Sequence, residues 1–242
     1  RDIVAAGYHW PKGVQGMDRH TGRLLWNGLP RGGESIGARA PAFSNDGLTL
    51  YVTNDATQSE EWPNGHPLMG FSSLDGPAVY RHTGTDAQPG ELEMDSPTIA
   101  PDGRIFLHGW IQQPRAATDN GVTLIRTWEP ATPAGCGRGD PALHPRDDGT
   151  LLVYVGDRYG VMHGWDGSTG AELWTATMPG TIDATGTIDP ANGNIYQPLG
   201  DVSIYIAGHS AYGQPLWAYP SANLLHEYPP GLSAPERAQT VG

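Results

Sequence analysis

The sequence is poor in cysteine, in positive charge and in long apolar runs, and each shortage excludes a class of protein. Cys136 is the only cysteine, so the chain can form no disulfide bond within itself. The 14 Lys and Arg residues stand against 26 Asp and Glu, and a formal net charge of -12 argues against nucleic acid or an anionic membrane as a partner. No apolar run reaches 18 residues, so we expect no membrane-spanning helix.

Glycine and proline, in contrast, are abundant, with 34 and 22 copies spread along the chain at turn-like positions. Almost no stretch shows the apolar period of an amphipathic helix. Regularly spaced turn residues between short apolar runs are typical of a protein built from many short strands. The composition therefore predicts an all-β fold.

A turn dipeptide recurs before runs of strand-forming residues. Its four copies are Asp46-Gly47, Asp102-Gly103, Asp148-Gly149 and Asn192-Gly193. Both residues of such a dipeptide tolerate positive φ, which tight hairpin turns require. Each copy predicts the turn between the first two strands, A and B, of a repeat unit.

A second marker places a turn glycine four residues before a bulky side chain, most clearly where Gly170 precedes Trp174. Each such turn predicts the hairpin between strands C and D of a unit. In the middle copy Ile125 occupies the aromatic position, so that copy is degenerate. Successive glycines are 54, 45, 49 and 43 residues apart, and a period near 50 is typical of a repeat architecture. The turn glycines are Gly22, Gly76, Gly121, Gly170 and Gly213.

Five four-stranded units without helices predict a β-propeller that occupies residues 1–242 as a single domain. Residues 3–6 fit a strand B whose strand A is missing, and residues 233–242 resemble a strand A. We therefore expect five blades, with the C-terminal strand closing the first blade and covering its edge. The alternative is that these are five blades of a larger propeller.

The signature Asp-x-x-Thr-Gly-x-x-x-Trp, at residues 18–26 and 166–174, resembles the repeat of PQQ-type (quinoprotein-like) β-propellers. The copies that end at Tyr80 and Trp217 are weaker versions. In that family the tryptophan of strand D packs on the neighbouring blade. The resemblance thus implies a structural role in blade packing for Trp26, Tyr80, Trp174 and Trp217.

The family contains quinone-dependent dehydrogenases and cofactor-free scaffolds, such as outer-membrane assembly lipoproteins. The dehydrogenases have eight blades and usually carry adjacent disulfide-bonded cysteines over the quinone, and this chain offers neither. No Cys-x-x-Cys-His haem motif occurs. We therefore expect the cofactor-free branch and no PQQ, while a divalent cation stays open. The N-terminal cysteine of the lipid-anchored scaffolds is also absent.

In propellers, the loops that join strand B to C and strand D to A gather on one face around the axis. Ligands usually bind there, although this placement is an analogy with the fold. A ring of His, Asp and Trp on this face could bind a cation or stack on a sugar. The alternative is that these side chains only cap strand ends and hold the loop backbone. The candidate binding residues are His9, Trp10, Asp55, Trp62, His108, Trp110, Asp157, Arg158 and Asp201.

The sequence contains no nucleophile elbow, phosphate-binding loop or zinc-peptidase motif, so we assign no catalytic residue. We predict a secreted or surface-associated propeller that binds a protein or saccharide partner as a scaffold. Because its first residues lack the features of a signal peptide, we interpret the sequence as a mature extracellular, periplasmic or cell-surface chain. The alternative function is that of a small metal-dependent hydrolase or lyase, similar to propeller lactonases and glycosidases, that uses the axial face.

Overall fold

The structure is a computed structural model that describes residues 2–8, 13–28, 40–53, 68–72, 76–82, 95–109, 112–122, 124–131, 137, 139–178, 180–200 and 206–219. Within these residues every extended regular element is a β-strand. No helix among them is long and apolar enough to cross a membrane. The all-β fold expected from the turn pattern is confirmed.

The strands form five antiparallel sheets that follow one another along the chain. Sheet 1 contains β1 (Ile3–Tyr8), β2 (Gly13–Asp18) and β3 (Leu24–Gly28). Sheet 2 contains β4 (Ala42–Phe43), β5 (Thr49–Thr53), β6 (Leu68–Ser72) and β7 (Gly76–His82). Sheet 3 contains β8 (Thr98–Ile99), β9 (Ile105–Gly109), β10 (Gln112–Asp119) and β11 (Leu124–Trp128). Sheet 4 contains β12 (Ala142–Pro145), β13 (Leu151–Gly156), β14 (Val161–Asp166) and β15 (Glu172–Thr177). Sheet 5 contains β16 (Thr187–Ile188), β17 (Ile195–Pro198), β18 (Ile206–His209) and β19 (Pro215–Tyr219).

In sheets 2 to 5 the four strands take positions A to D in chain order, whereas the three strands of sheet 1 take positions B to D. The expected closing strand, residues 233–242, lies outside the described residues. The number of blades in the complete molecule and the closure of the first blade therefore stay predictions.

The turns between strands A and B form at the predicted dipeptides. Gly103 has a φ of +87°, and its amide donates to the carbonyl of Ala100 at 2.9 Å. Gly149 has a φ of +81°, and its amide donates to the carbonyl of Arg146 at 3.0 Å. A Cβ would strain the backbone in this left-handed region, so glycine specifies the turn.

The Asp-x-x-Thr-Gly motif forms the turn between strands C and D. One carboxylate oxygen of Asp166 accepts hydrogen bonds from the amides of Ser168 and Thr169 and from the hydroxyl of Thr169, at 2.9, 2.7 and 3.0 Å. Asp18 likewise accepts hydrogen bonds from the amide and the hydroxyl of Thr21. Hydrogen bonds from Thr21 hold the pKa of Asp18 below its usual value. The motif therefore encodes a turn, and its aspartate is used within that turn.

A row of three residues crosses each of sheets 3, 4 and 5 from strand B to strand D. It consists of an aromatic residue on strand B, a small residue on strand C and a tryptophan on strand D. The B and D rings lie 5.3, 5.6 and 5.5 Å apart. Because the rings meet across strand C, the residue between them must be small. The rows are Phe106–Ala116–Trp128, Tyr154–Gly164–Trp174 and Tyr196–Gly208–Trp217.

In sheet 3 this row corrects the register expected from sequence. Trp128 lies opposite Ala116 and is 5% exposed. Ile125, which was expected in the aromatic position, lies opposite Thr118 and is 44% exposed. The C–D hairpin is longer here, with 12 residues from Ala116 to Trp128 against 10 from Gly164 to Trp174, so strand D reaches its tryptophan three residues later than expected. The middle copy is thus complete in the structure.

Sheet 2 departs from the expected pattern in a different way. Gly76 is the first residue of β7, and Tyr80 lies opposite Phe71. Gly70, the small residue of strand C, lies opposite Arg81. The backbone register therefore puts Arg81 at the position that tryptophan holds in sheets 3 to 5.

The apolar core lies between consecutive sheets, with buried clusters that join sheet 1 to 2, 2 to 3, 3 to 4 and 4 to 5. The tryptophans of strand D extend these contacts. The indole N–H of Trp128 donates to the carbonyl of Asp166 at 3.2 Å, and that of Trp174 donates to the carbonyl of Ala211 at 3.0 Å. Each indole therefore ties its own sheet to the C–D turn of the next.

The other two tryptophans predicted to pack blades have different surroundings. Trp26 packs against the apolar cluster between sheets 1 and 2. Trp217 stacks on Tyr196 within sheet 5 and is 47% exposed.

Polar bonds also connect the starts of consecutive A strands. The amide of Ala40 donates to the Ser96 hydroxyl at 3.0 Å, and the amide of Ser96 donates to the Asp140 carboxylate at 2.6 Å. The amide of Asp140 donates to the Thr185 hydroxyl at 2.9 Å. One side chain per sheet thus satisfies a backbone N–H of the preceding sheet, which fixes the order and spacing of sheets 2 to 5.

Acid should destabilise the fold through His209, which is buried on strand β18. Burial lowers the pKa of His209 below its ordinary value of 6.5. The unfolded chain then binds a proton before the folded chain does, so stability is present above pH 6.5 and is lost as the pH falls through the folded pKa. One proton limits this slope to about 1.4 kcal/mol per pH unit.

The measurement is the free energy of unfolding between pH 7.5 and 5 for the wild type and for His209→Gln. We expect a smaller slope in the variant, because glutamine does not titrate in this range. Equal slopes would show that another group causes the acid sensitivity. Hydrogen bonds lower the pKa of turn aspartates such as Asp18 further below this pH range, so these groups do not interfere.

Candidate functional site

Six of the nine predicted binding residues lie outside the described residues, namely His9, Trp10, Asp55, Trp62, Trp110 and Asp201. The other three, His108, Asp157 and Arg158, lie at or just after the ends of strands B in sheets 3 and 4. Among the described residues no group of three or more His, Cys, Asp and Glu side chains is arranged to hold a metal ion. The axial ring therefore stays a prediction.

His108 is fully buried within the sheets. Its Nδ1 lies 3.1 Å from the carbonyl oxygen of Gly139, which can only accept, so Nδ1 carries the proton of this bond. A Cβ at Gly137 would lie 2.8 Å from the His108 ring, which shows how closely the backbone covers it. His108 therefore packs between sheets 3 and 4.

Asp157 is buried and shapes the turn between strands B and C of sheet 4. One of its carboxylate oxygens accepts hydrogen bonds from the amides of Tyr159 and Val161, at 2.9 and 2.8 Å. Gly160 completes the turn with a φ of +80°. Arg158 lies over the ring of Tyr159, 5.0 Å from its centroid. Asp157 is thus held by its own turn.

His163, which was not among the predicted binding residues, lies between Glu172 and Asp157. Its Nδ1 lies 2.9 Å from a carboxylate oxygen of Glu172, and its Nε2 lies 3.7 Å from the second oxygen of Asp157. The imidazole stacks on Trp165, with ring centroids 4.9 Å apart and planes within 2°. These contacts link strands B, C and D inside sheet 4, and only Glu172, with 26% of its side chain exposed, reaches the surface.

An open cleft of about 310 Å³ lies between sheets 4 and 5, where the A–B and C–D turns gather. This is the opposite end of the strands from the predicted axial residues. Sheet 4 contributes the end of strand A and its A–B turn, and sheet 5 contributes both of its turns. The lining residues are His144, Pro145, Arg146, Asp147, Asp148, Leu152, Pro190, Ala191, Asn192, Ala211 and Tyr212.

We call the gap between the turns of two consecutive sheets a notch. Side chains bridge the notch between sheets 2 and 3 and the notch between sheets 3 and 4. Between sheets 2 and 3, the amide of Asn45 donates to the carbonyls of Ala100 and Pro101 at 2.9 and 3.0 Å. Between sheets 3 and 4, the guanidinium of Arg104 donates to the carbonyl of Gly167. In both notches a donor on one A–B turn reaches a backbone carbonyl on a turn of the next sheet.

The notch between sheets 4 and 5 has an acceptor where the first notch has a donor. The amides of Gly47 and Gly149 donate to Ser44 and Arg146, so these two residues open equivalent turns. The second turn residue is Asn45 in sheet 2 and Asp147 in sheet 4. A carboxylate cannot donate to a backbone carbonyl, so Asp147 cannot form the bridge that Asn45 forms.

Charge in the cleft is unevenly balanced. Arg146 lies 3.9 Å from a carboxylate oxygen of Asp148 in its own turn. Hydrogen bonds from Thr150, assisted by Arg146, hold the pKa of Asp148 below its usual value, so this carboxylate stays charged. Asp147 is exposed and contacts no cation among the described residues. The cleft therefore carries one uncompensated carboxylate.

Next to the cleft, side chains of sheet 4 contact the A–B turn of sheet 5. The hydroxyl of Tyr154 donates to the carbonyl of Gly193 at 3.0 Å, and burial raises the pKa of Tyr154, so the phenol stays protonated. His144 packs on Gly193, where a Cβ would lie 2.6 Å from the imidazole. Tyr212 stands at the rim with 69% of its surface exposed. An exposed aromatic ring at the rim of a cleft is a surface suited to binding.

The cleft is not among the sites predicted from the sequence, although the sequence contains one signal of it. The interval from the strand A proline to the turn glycine is eight residues in sheet 4, from Pro141 to Gly149, whereas it is six in sheets 2 and 3. The longer interval marks the turn that carries Arg146 and Asp147. The contact with sheet 5 that makes the turn a cleft is tertiary.

No protein-family model matches the sequence, and no curated protein matches it. Solved structures do match. BamB from Moraxella catarrhalis is 17% identical with a TM-score of 0.59, over 90% of this chain and 58% of that chain. A protein of unknown function from Bacteroides caccae is 14% identical with a TM-score of 0.54, over 89% of this chain and 77% of that chain.

The β-propeller domain of Cps50 (Swd1) from Myceliophteria thermophila is 14% identical with a TM-score of 0.62, over 86% of this chain and 62% of that chain. This chain therefore spans about three fifths of the BamB and Cps50 structures. At these identities the likeness concerns the fold alone. Together with the succession of four-stranded antiparallel sheets, it shows that the chain folds as a β-propeller.

Proposed function

We propose that this propeller is a binding scaffold for a protein partner. The observation that carries the proposal is the open cleft between sheets 4 and 5, at a position that side chains bridge between sheets 2 and 3 and between sheets 3 and 4. A repeat protein that departs from its own repeat at one exposed place has a surface feature that the fold itself does not need. Binding sites are such features, placed on a common scaffold.

The lining supports a protein partner. Tyrosine and arginine are enriched at protein interfaces, and Tyr212 and Arg146 stand at this cleft beside Pro145 and Pro190. The polar residues at the other end of sheets 3 and 4, His108 and Asp157, are used in internal contacts. A volume of about 310 Å³ suits one inserted side chain and its neighbours more than an extended glycan.

The saccharide partner and the metal-dependent hydrolase were both inferred from loops that include Trp10, Trp62 and His9. These residues lie outside the described part of the chain. Both functions, the cofactor-free assignment and the extracellular or periplasmic location stay predictions.

The test is a display selection of random peptides on the immobilised full chain, run in parallel with binding to a glycan array. We expect enriched peptides that share a motif and no bound glycan. Glycans bound without peptide enrichment would overturn the proposal in favour of a lectin. Failure to enrich any peptide would also overturn it. A matched selection on the Tyr212→Ala variant identifies the peptides that use the cleft.

A further inference from the structure

We propose that the cleft between sheets 4 and 5 binds an arginine side chain presented by a protein partner. The inference rests on the proposed function and names the chemistry that the partner supplies. It is carried by the position of Asp147, the pairing of Arg146 and the exposed ring of Tyr212.

The uncompensated carboxylate is the first part of the site. Asp147 occupies the turn position from which Asn45 donates to two carbonyls of the next sheet. With Asp147 there, the notch gains a charged acceptor and loses the donor that this turn position supplies between sheets 2 and 3. A ligand that brings several N–H donors and a positive charge satisfies both.

Arg146, the arginine that already lines the cleft, does not neutralise Asp147. Arg146 lies beside Asp148, whose carboxylate is also fixed by Thr150 at 3.0 and 2.5 Å. This pair neutralises itself within the turn. An anionic ligand would have to displace Asp148 from Arg146 and would also face Asp147, so charge favours a cationic ligand.

The exposed ring and the apolar walls favour arginine over other cations. A guanidinium stacks on a tyrosine face and pairs with a carboxylate through its planar fork, and Tyr212 and Asp147 line one cleft. This chain forms the same contact elsewhere, where Arg158 lies over Tyr159 at 5.0 Å. Leu152 and Ala211 can cover the methylene stem of the side chain.

The size and overall charge agree with this ligand. The cleft of about 310 Å³ is at the lower end of ligand pockets, which limits it to a group of side-chain size. The net charge of -12 raises the local concentration of a basic partner around the molecule and speeds its association at low salt. Tight binding then needs further contacts from the partner around the inserted side chain.

The test titrates the full chain with N-acetyl-arginine amide and, separately, with N-acetyl-citrulline amide, which has the same shape without the charge. Binding is followed by NMR chemical shifts of the Tyr212 ring and the Asp147 amide. We expect saturation by the arginine compound with a Kd of about 1 mM, typical of one small contact. We expect the citrulline compound to bind at least tenfold more weakly.

Two variants and two matched controls locate the site. Asp147→Asn removes the charge and restores the donor found at Asn45, so we expect at least a tenfold loss of arginine binding. Tyr212→Ala removes the ring, and we expect a loss of about threefold. Asp183→Asn and Tyr159→Ala make the same changes at exposed positions on the other end of the strands, and we expect unchanged binding.

Equal binding of the two compounds, no saturation, or an equal loss in the Asp183→Asn control would overturn the inference. Saturation of the cleft by inorganic phosphate in place of arginine would also overturn it. The peptide selection is an independent measurement. If the chain enriches peptides but does not bind the arginine compound, the proposed function stands and this inference fails. If it binds the arginine compound but enriches no peptide, the proposed function fails although the cleft binds arginine.

Discussion

Replacing Trp128 by alanine should destabilise the protein by about 3–5 kcal/mol, the usual cost of removing a buried large aromatic side chain. Trp128 is 5% exposed and meets Phe106 edge to face at 5.3 Å. Its indole also donates to the carbonyl of Asp166 in the next sheet. The variant therefore loses a ring contact, a hydrogen bond and packing between sheets 3 and 4. The measurement is urea unfolding followed by tryptophan fluorescence and circular dichroism.

The matched control is Ile125→Ala on the same strand. The sequence pattern expects Ile125 in the packing position, whereas the structure leaves it 44% exposed. We expect this variant to cost less than about 1 kcal/mol, as for other surface substitutions. If Ile125→Ala cost as much as Trp128→Ala, the register of β10 against β11 would be wrong.

Replacing Gly164 by valine should destabilise the protein by about 3 kcal/mol, the upper end of the usual cost of overpacking. Gly164 is the small residue between Tyr154 and Trp174, and any Cβ there overlaps the Trp174 ring. The ring cannot move away freely, because its indole N–H is bonded to Ala211 and its face packs on Gly213. Valine is a better strand former than glycine, so propensity alone predicts the opposite sign. Unfolding by denaturant measures the change.

The cause is tested by repeating the substitution in a Trp174→Ala background. With the ring removed, Gly164→Val should cost less than about 1 kcal/mol, so the two substitutions should be strongly non-additive. Equal costs in the two backgrounds would show that valine clashes with something other than Trp174. Thr175→Val, an exposed change to the same residue on strand D, should leave stability within about 0.5 kcal/mol.

Local turn chemistry could be predicted well from this sequence. The Asp-Gly and Asn-Gly dipeptides specify positive φ at one residue, and the structure has it at Gly47, Gly103, Gly149 and Gly193. The hydrogen bonds of Asp166 lie within its own turn. Such features depend on residues a few positions apart, so a sequence pattern contains everything that determines them.

Register in sheet 3 could not be predicted in the same way. The spacing from turn to tryptophan is four residues where the C–D hairpin is regular, and Trp128 breaks that spacing because the hairpin of sheet 3 is two residues longer than that of sheet 4. The pairing of Ala116 with Trp128 is decided by which ring fits beside Phe106. That fit belongs to three strands at once and leaves no fixed interval in the sequence.

The sequence by itself determined that the chain is an all-β repeat. It also determined where the A–B turns fall and where a turn glycine precedes a tryptophan on the next strand. These properties follow from backbone sterics and from contacts inside one sheet. Only the tertiary structure decided which residues meet between sheets. Asn45 bridges a notch because a carbonyl of the next sheet lies within its reach, whereas the carboxylate of Asp147 at the same turn position has no hydrogen to donate. The cleft brings Asp147 together with Pro190 and Tyr212, which lie 43 and 65 positions later in the sequence.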